Sequence, residues 1–207
     1  MRTKLFDLES KRRDVILNAA LKQFTLRGFD DASTNVIAKE ARISKALMFH
    51  YVNNKQELFL FVYDYFTELL EKEYFQKIDF SEKDIFSRLR QSYLLQIALI
   101  KQYPSVLEFE KLSIVTKSEE LNKELEKRSI NRQSSCDLQI FDQIDTSKFR
   151  AGLNIEKCKQ FILWTNVGFT NQILDNIREL KASIMDDQSI IETLDENLEE
   201  LRKLFYR

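Results

Sequence analysis

Three glycines and one proline are spread over 207 residues. A β-sandwich or barrel reverses direction roughly every 8–12 residues and draws on Gly, Pro and Asn to do so. This chain lacks that supply. Its Phe, Leu and Ile instead recur at three- and four-residue spacing, the period of a helix with one buried face. The expected class is all-α, with about nine helices.

The length fits one or two compact domains, and 43% hydrophobic with 31% charged residues is the composition of a folded chain rather than a disordered one. No run of about 18 uncharged apolar residues occurs, so no membrane span is expected. The opening MRTKLFDLESKRR carries Asp7 and Glu9 without an apolar core, unlike a signal peptide. Cys136 and Cys158 show neither CxxC nor His-partner spacing, which speaks against zinc and for a reducing, cytoplasmic setting. No metal or other cofactor is implied. The single histidine, His50, stands apart from any Gly-rich phosphate loop or GxSxG turn. No catalytic residues can be assigned, and an enzyme is not expected.

Ser10 is a suitable N-cap for a helix over 11–27 with Val15, Ile16, Ala19, Ala20 and Phe24 inward. Gly28 stands just past its end, where a left-handed residue belongs. Residues 1–9 read as an irregular arm whose Arg2 and Lys4, with Arg12 and Arg13 behind them, are placed to reach phosphate or a minor groove, or else as a solvated tail. The next stretch, STNVIAKEARISKALMFHYVNNK, carries the functional signal. Ser33 caps a helix of about two turns in which Ile37, Ala38 and Ala41 share one face. Arg42-Ile43-Ser44 interrupts it. Ser44 then caps a second short helix from Lys45 to about Val52. Two short helices joined by a turn of about three residues form the helix-turn-helix pattern. Ala38 and Ala41 let the helices cross closely, with Ile37, Ile43 and Met48 filling the wedge. Lys45, Ala46, Leu47, Phe49 and His50 are left for the outer face, the one that enters a major groove when such a pair binds DNA.

From Arg12 to about Phe61 the chain resembles the N-terminal domain of TetR-family transcriptional repressors. The resemblance runs through Arg12, Ile16, Ala19-Ala20, Phe24, Gly28-Phe29, Ser33, Ile37-Ala38, Ala41, Ile43-Ser44-Lys45, Phe49-His50-Tyr51, Lys55, Glu57 and Leu58. Four positions depart from it. Arg42 and Ala46 stand where the family favours Gly, Phe49 where it has Tyr, and Val52 where it has Phe. Phe49 cannot donate the phosphate hydrogen bond that a tyrosine hydroxyl would. The resemblance implies DNA contacts from Ser33, Thr34, Asn35, Ser44, Lys45, Ala46, Leu47, Phe49 and His50. It adds Lys55, expected to meet a phosphate at a helix start. It also implies an N-terminal helix-turn-helix domain over 1–54, followed over 55–207 by a helical effector-binding and dimerisation domain.

Charge agrees with that division. Residues 1–55 hold eleven Lys/Arg and six Asp/Glu, a net +5, which leaves −6 for the remainder of a chain whose total is −1. A basic head on an acidic body suits a polyanion held at one end.

In the body, Lys55 opens a helix expected to run to about residue 77, broken by Asp79-Phe80-Ser81. Ser81 is the expected cap of a helix over 82–103, ended by Pro104. A short helix from Val106 follows, and Thr116 with Glu119 read as a capping box. The polar stretch 126–135 is compatible with a solvent-projecting helix or with a break. Asp145 to Asn154 reads as a loop before a helix over 155–181, and Asp186 or Asp187 as the cap of the last helix. Apolar residues at Phe161, Thr165, Phe169 and Ile173, then Leu194, Leu198 and Leu201, form stripes that suit either an internal core or, as the resemblance implies, a four-helix dimer interface.

The mechanism implied is that of a repressor. A homodimer sets two recognition helices roughly 34–36 Å apart on a palindromic double-stranded operator. A small molecule entering the helical body releases it, with the helix from Lys55 as the lever. Tyr65, Phe66, Tyr93, Ile97, Phe109, Leu112, Phe161 and Trp164 are candidates to line its pocket. The 16 phenylalanines point to a hydrophobic effector such as a lipophilic drug or an acyl group. The rival reading is a helical protein-interaction adaptor without sequence-specific DNA binding.

Overall fold

The computed structural model describes residues 4–111, 116–130, 139–179 and 187–207. Among them the helices are α1 (Ser10–Asp31), α2 (Thr34–Glu40), α3 (Lys45–Tyr51), α4 (Lys55–Glu73), α5 (Ile85–Gln102), α6 (Val106–Lys111), α7 (Glu119–Ile130), α8 (Ile155–Glu179) and α9 (Asp187–Phe205). Short 3-10 turns occupy Lys4–Asp7, Phe75–Lys77 and Thr146–Lys148. No strand forms among the described residues, only one isolated antiparallel bridge between Phe149 and Tyr206. The all-α expectation holds.

The chain divides into two compact units. The first comprises Met1–Glu73 and Gln102–Gln133, and so contains α1 to α4 with α6 and α7. Its core gathers Ile16, Leu17, Ala20, Leu21 and Phe24 from α1, Ile37 from α2, Met48 from α3, and Leu58, Phe59, Val62 and Phe66 from α4. Aromatic rings meet edge to face through it: Phe59 lies 4.8 Å from Phe24 and 6.2 Å from Phe109, and Phe66 lies 4.9 Å from Tyr103. Offset and edge-to-face pairs of this kind suit the ring quadrupole. Val15, expected on the inner face of α1, is 46% exposed, whereas Leu17 and Leu21 take the buried positions. Gly28 adopts φ 66°, but α1 kinks there and continues to Asp31 instead of ending at residue 27.

The N-terminal arm departs from expectation. Residues Lys4–Asp7 form a 3-10 turn in contact with α3, and Leu5 is buried. One leucine is enough to convert a solvated arm into a docked one. Arg2 lies outside the described residues.

The second unit comprises Tyr74–Lys101 and Ser134–Arg207, with α5, α8 and α9. Its polar centre is Asp84, which caps α5 by accepting from the Ser87 amide at 3.0 Å. Ser81, the expected cap, instead donates its amide to Asp79. Lys148 and Arg202 both reach the Asp84 carboxylate, Arg202 through two parallel bonds of 2.9 and 3.0 Å. Nearby, Arg88 is fully buried and donates to the carbonyls of Phe80, Glu82, Ile140 and Asp142, joining α5 to the turn that contains the latter two. The chain terminus closes this unit: Arg150 bonds the Tyr206 carbonyl at 2.8 Å, and the Tyr206 ring packs between Phe86 and Phe149.

Other boundaries shift by local chemistry. α4 ends at Glu73 rather than near residue 77. Ser118 caps α7 by accepting from Leu121, while Thr116 turns to Asn122, so the expected Thr116 capping box does not form. Of the polar stretch 126–135, α7 reaches Ile130, and residues 131–138 lie outside the described residues, as does Asp186. Cys158 is buried, whereas Cys136 is not among the described residues.

Asp84 makes stability pH-dependent. Burial pulls its pKa up, but the Ser87 amide, Lys148 and Arg202 outweigh burial and bring it from the usual 3.8 down to about 2. A depressed carboxylate pKa gives stability that is present above the unfolded value and lost as pH falls through the folded one, here about 2 kcal/mol between pH 4 and 2. Urea unfolding at a series of pH values should show this acid limb, and Asp84→Asn should flatten it while lowering stability at neutral pH.

Candidate nucleic-acid interface

The helix-turn-helix is assembled by two serine caps and one left-handed residue. Ser33 Oγ accepts from the Val36 amide at 3.5 Å at the start of α2, and Ser44 Oγ accepts from the Leu47 amide at 3.1 Å at the start of α3. Between them α2 ends in a Schellman motif: the Arg42 amide bonds the Lys39 carbonyl at 3.1 Å and the Ile43 amide bonds the Ala38 carbonyl at 3.0 Å. That geometry requires φ > 0 at the residue after the cap, and Arg42 has φ 54°. Glycine takes this conformation freely, whereas an L side chain strains it by about 1 kcal/mol. Ala38, Ala41 and Met48 are buried at the crossing, as expected, and Ile43 is half-buried.

The outer face carries Asn35, Lys39, Arg42, Lys45, Ala46 and His50, all exposed. Thr34, Leu47 and Phe49 are half-buried. The Lys45 ammonium lies 5.8 Å above the Phe49 ring, so Phe49 serves as a platform for the cation next to it. Ser33 and Ser44 accept as caps, and each hydroxyl proton remains to donate outward. Tyr51, also half-buried, has its ring centre 5.8 Å from that of His50 and offers the phenol that Phe49 lacks. Helical spacing groups Tyr51 with the inner residues of α3, so the pattern alone does not find it. Nor does the pattern single out Lys39 or Arg42 for DNA, although Arg42 is marked by its departure from the family's glycine.

Lys55 is placed differently from expectation. Its ammonium donates to the carbonyls of Asp30 at 2.9 Å and Ala32 at 3.1 Å and stands 4.7 Å from the Phe29 ring centre. It satisfies acceptors left open at the end of α1 and is drawn away from the surface. The start of α4 is held by Asn54, whose side chain accepts from the Glu57 amide at 2.8 Å, while the Glu57 carboxylate accepts from the Asn53 amide at 3.1 Å. An acidic side chain already occupies this helix start. Lys55 thus clamps the end of α1 to the start of α4.

The residues expected to line an effector pocket are divided between the two units. Tyr65, Phe66 and Phe109 belong to the aromatic core of the first unit. There the Tyr65 hydroxyl lies 3.2 Å from that of Tyr103, which donates to Asp14 at 3.0 Å. In the second unit Ile97 is buried, while Phe161 and Trp164 are on the surface at 49% and 63% exposure. Leu112 lies outside the described residues. The second unit does hold an open cavity of about 320 Å³ between α5, α8 and α9. Of those eight residues Tyr93 lines it, with its hydroxyl donating to the Asn166 carbonyl at 2.9 Å and its pKa pushed up by burial. The remaining walls include Thr165, Phe169, Leu194, Leu198 and Leu201, residues assigned to a dimer interface. Leu194 and Leu198 are already buried within the chain. The Ile173 side chain is outside the described set.

Among the described residues no group of three or more His, Cys, Asp or Glu is placed to hold a metal ion, and no helix is long and apolar enough to cross a membrane.

A capped helix-turn-helix with an exposed cationic outer face, carried on an all-α chain, defines a helix-turn-helix protein. Residues 16–66 match the family model described as bacterial regulatory proteins, tetR family. It is 40% identical over 68 residues to the uncharacterized HTH-type transcriptional regulator YhgD of Bacillus subtilis (strain 168). That match spans 33% of this chain and about a third, 34%, of the relative's length. The fold as a whole is similar to a TetR family transcriptional regulator from Chloroflexus aurantiacus J-10-FL, with TM-score 0.61 and 16% identity over 99% of this chain and 97% of that one. It is also similar to AibR, solved in complex with isovaleryl coenzyme A and operator DNA, with TM-score 0.52 and 19% identity over 88% and 95% of the two chains.

Replacing Lys55 by Met keeps the bulk of the stem and removes three donors. Thermal unfolding should show a loss of about 2 kcal/mol, the scale of hydrogen bonds to a charged group. If Lys55 instead gripped phosphate from an open position, stability would be unchanged and only DNA affinity would fall.

Proposed function

We propose that this protein is a ligand-responsive, DNA-binding transcriptional repressor that grips a palindromic operator as a homodimer. Residues 1–54 read DNA, and residues 55–207 bind the effector and dimerise. The observation that carries the reading is the outer face of α3, where Lys45, Ala46 and His50 are exposed around a helix fixed at its start by Ser44. In a dimer two such helices enter successive major grooves roughly 34–36 Å apart. Lys45 and His50 meet phosphate or base edges, and Ala46 and Leu47 offer apolar contact to thymine methyl groups.

Dimerisation is ascribed to the outward side of α8. Phe161, Trp164, Thr165, Gly168 and Gln172 fall at helical spacing on one side, and Phe161 and Trp164 leave large apolar surface in water. Gly168 has open space where a Cβ would stand, which suits close approach of a second helix. The effector is a small, largely hydrophobic molecule held in the cavity lined by Tyr93, Phe169 and Leu198, with the Asn166 and Asn197 amides available to a polar end. AibR, which holds isovaleryl coenzyme A together with operator DNA, is a precedent on the same fold for an acyl ligand. Coupling of about 1–3 kcal/mol between effector and operator would suffice to switch occupancy.

Selection of bound fragments from the source genome should return a sequence with dyad symmetry. Lys45→Ala should weaken its binding and make the log–log salt dependence shallower by about 0.9 for each phosphate no longer neutralised. Recovery of fragments without a shared sequence would overturn the repressor reading. Trp164→Glu should convert the dimer to a monomer in sedimentation equilibrium, and a wild-type chain that sediments as a monomer at tens of micromolar would remove the proposed interface.

A further inference from the structure

We infer that Arg42 is a sequence-independent DNA-phosphate anchor built into the turn of the helix-turn-helix. The inference rests on the DNA-binding reading above and adds to it a residue at which this chain departs from its family. Arg42 occupies the left-handed position of the Schellman motif, with φ 54°, where a glycine would fit without strain. Nothing inside the fold compensates for that strain. The Arg42 side chain is exposed and makes no hydrogen bond, ion pair or ring contact among the described residues.

Its surroundings favour an external anion. Lys39, Arg42 and Lys45 recur every third residue across the turn, all exposed and none paired with an acid among the described residues. Glu40, the acidic residue nearest in sequence, is taken by Lys22 at 3.1 Å. The backbone of Arg42, held in the turn two residues ahead of the recognition helix's cap, is fixed in place relative to that helix. A lysine stem on a mobile loop would not be. Arg is also the side chain whose planar fork matches a phosphate with two parallel donors. Strain at an exposed, unpartnered residue is the pattern expected where a ligand, absent from the free protein, completes the interaction.

The test compares the wild-type protein with Arg42→Gly and Arg42→Lys on a 30-base-pair duplex of mixed sequence, titrated at several NaCl concentrations, with thermal unfolding of each protein alone. Arg42→Gly relieves the left-handed strain, so its Tm should rise by about 2–4 °C. Its DNA affinity should nevertheless fall, with the salt slope shallower by about 0.9 for each subunit engaged. Arg42→Lys keeps the charge and the strain, so it should retain the slope. Arg42→Gly with wild-type affinity and slope would overturn the inference, whatever its Tm, and leave the DNA-binding reading intact. A wild-type protein that fails to bind the duplex even at about 50 mM salt would overturn both.

Discussion

The helix-turn-helix depends on how the first two turns of α4 grip the end of α1. The Phe59 ring stands 4.8 Å from Phe24 and 5.3 Å from Phe29, both edge to face, so one side chain of α4 touches α1 on either side of its kink. The kink exists because Gly28 accepts φ 66°, and the end of the helix at Asp31 leaves the carbonyls of Asp30 and Ala32 without helical partners. Lys55, one turn before Phe59, supplies the donors. Packing alone would let α1 and α4 slide, and the ammonium alone would tolerate many ring arrangements. Together they fix where the chain leaves α1, and therefore where Ser33 launches α2. Everything presented by α3 inherits its position from that junction.

The head was legible in the sequence because its structure is local. Ser33 and Ser44 are caps that act within three residues, and Ala38, Ala41 and Met48 follow the helical period into the crossing. The parts that escaped depend on partners distant in sequence. Lys55 looks like a surface lysine until Asp30 and Ala32 are brought beside it. Asp84 caps α5 in place of Ser81 because Lys148 and Arg202 arrive from 64 and 118 residues away. Phe66 and Phe109 have the composition of a pocket wall, and their ring centres stand 6.5 Å apart, edge to face, inside the first unit. Periodicity identifies which face is buried, but not which distant side chains meet it.

Two arginines break local rules, and the contrast between them separates fold from function. Arg88 is a buried cation with no carboxylate bonded to its guanidinium among the described residues. Burial pulls its pKa down, while the charges of Glu82, Asp142 and Asp79 hold it up. Four backbone carbonyls and the Phe80 ring, 5.6 Å away, account for its donors and its face. Its rule-breaking is balanced inside the protein and explains how the turn that follows residue 139 is tied to α5. Arg42 breaks a backbone rule at the surface and has no such balance among the described residues. A violation that the fold satisfies is structural. One that it leaves open calls for a molecule outside the chain.

α8 brings the proposed effector site and the proposed dimer interface into the same few turns. Ile162 and Thr170 are buried toward the interior, Phe161 and Trp164 look outward, and Thr165 and Gly168 belong to the cavity wall while lying next to the exposed stripe. A rigid helix cannot adjust one side without moving the other, because its side chains are fixed to a common axis at 3.6 residues per turn. An occupant that prefers one setting of α8 must therefore favour or oppose whatever packs on its outer face. Linkage is reciprocal, so a dimer formed across that face would in turn alter the affinity of the cavity for its ligand. The coupling needs no separate relay within this unit, since one helix supplies both surfaces.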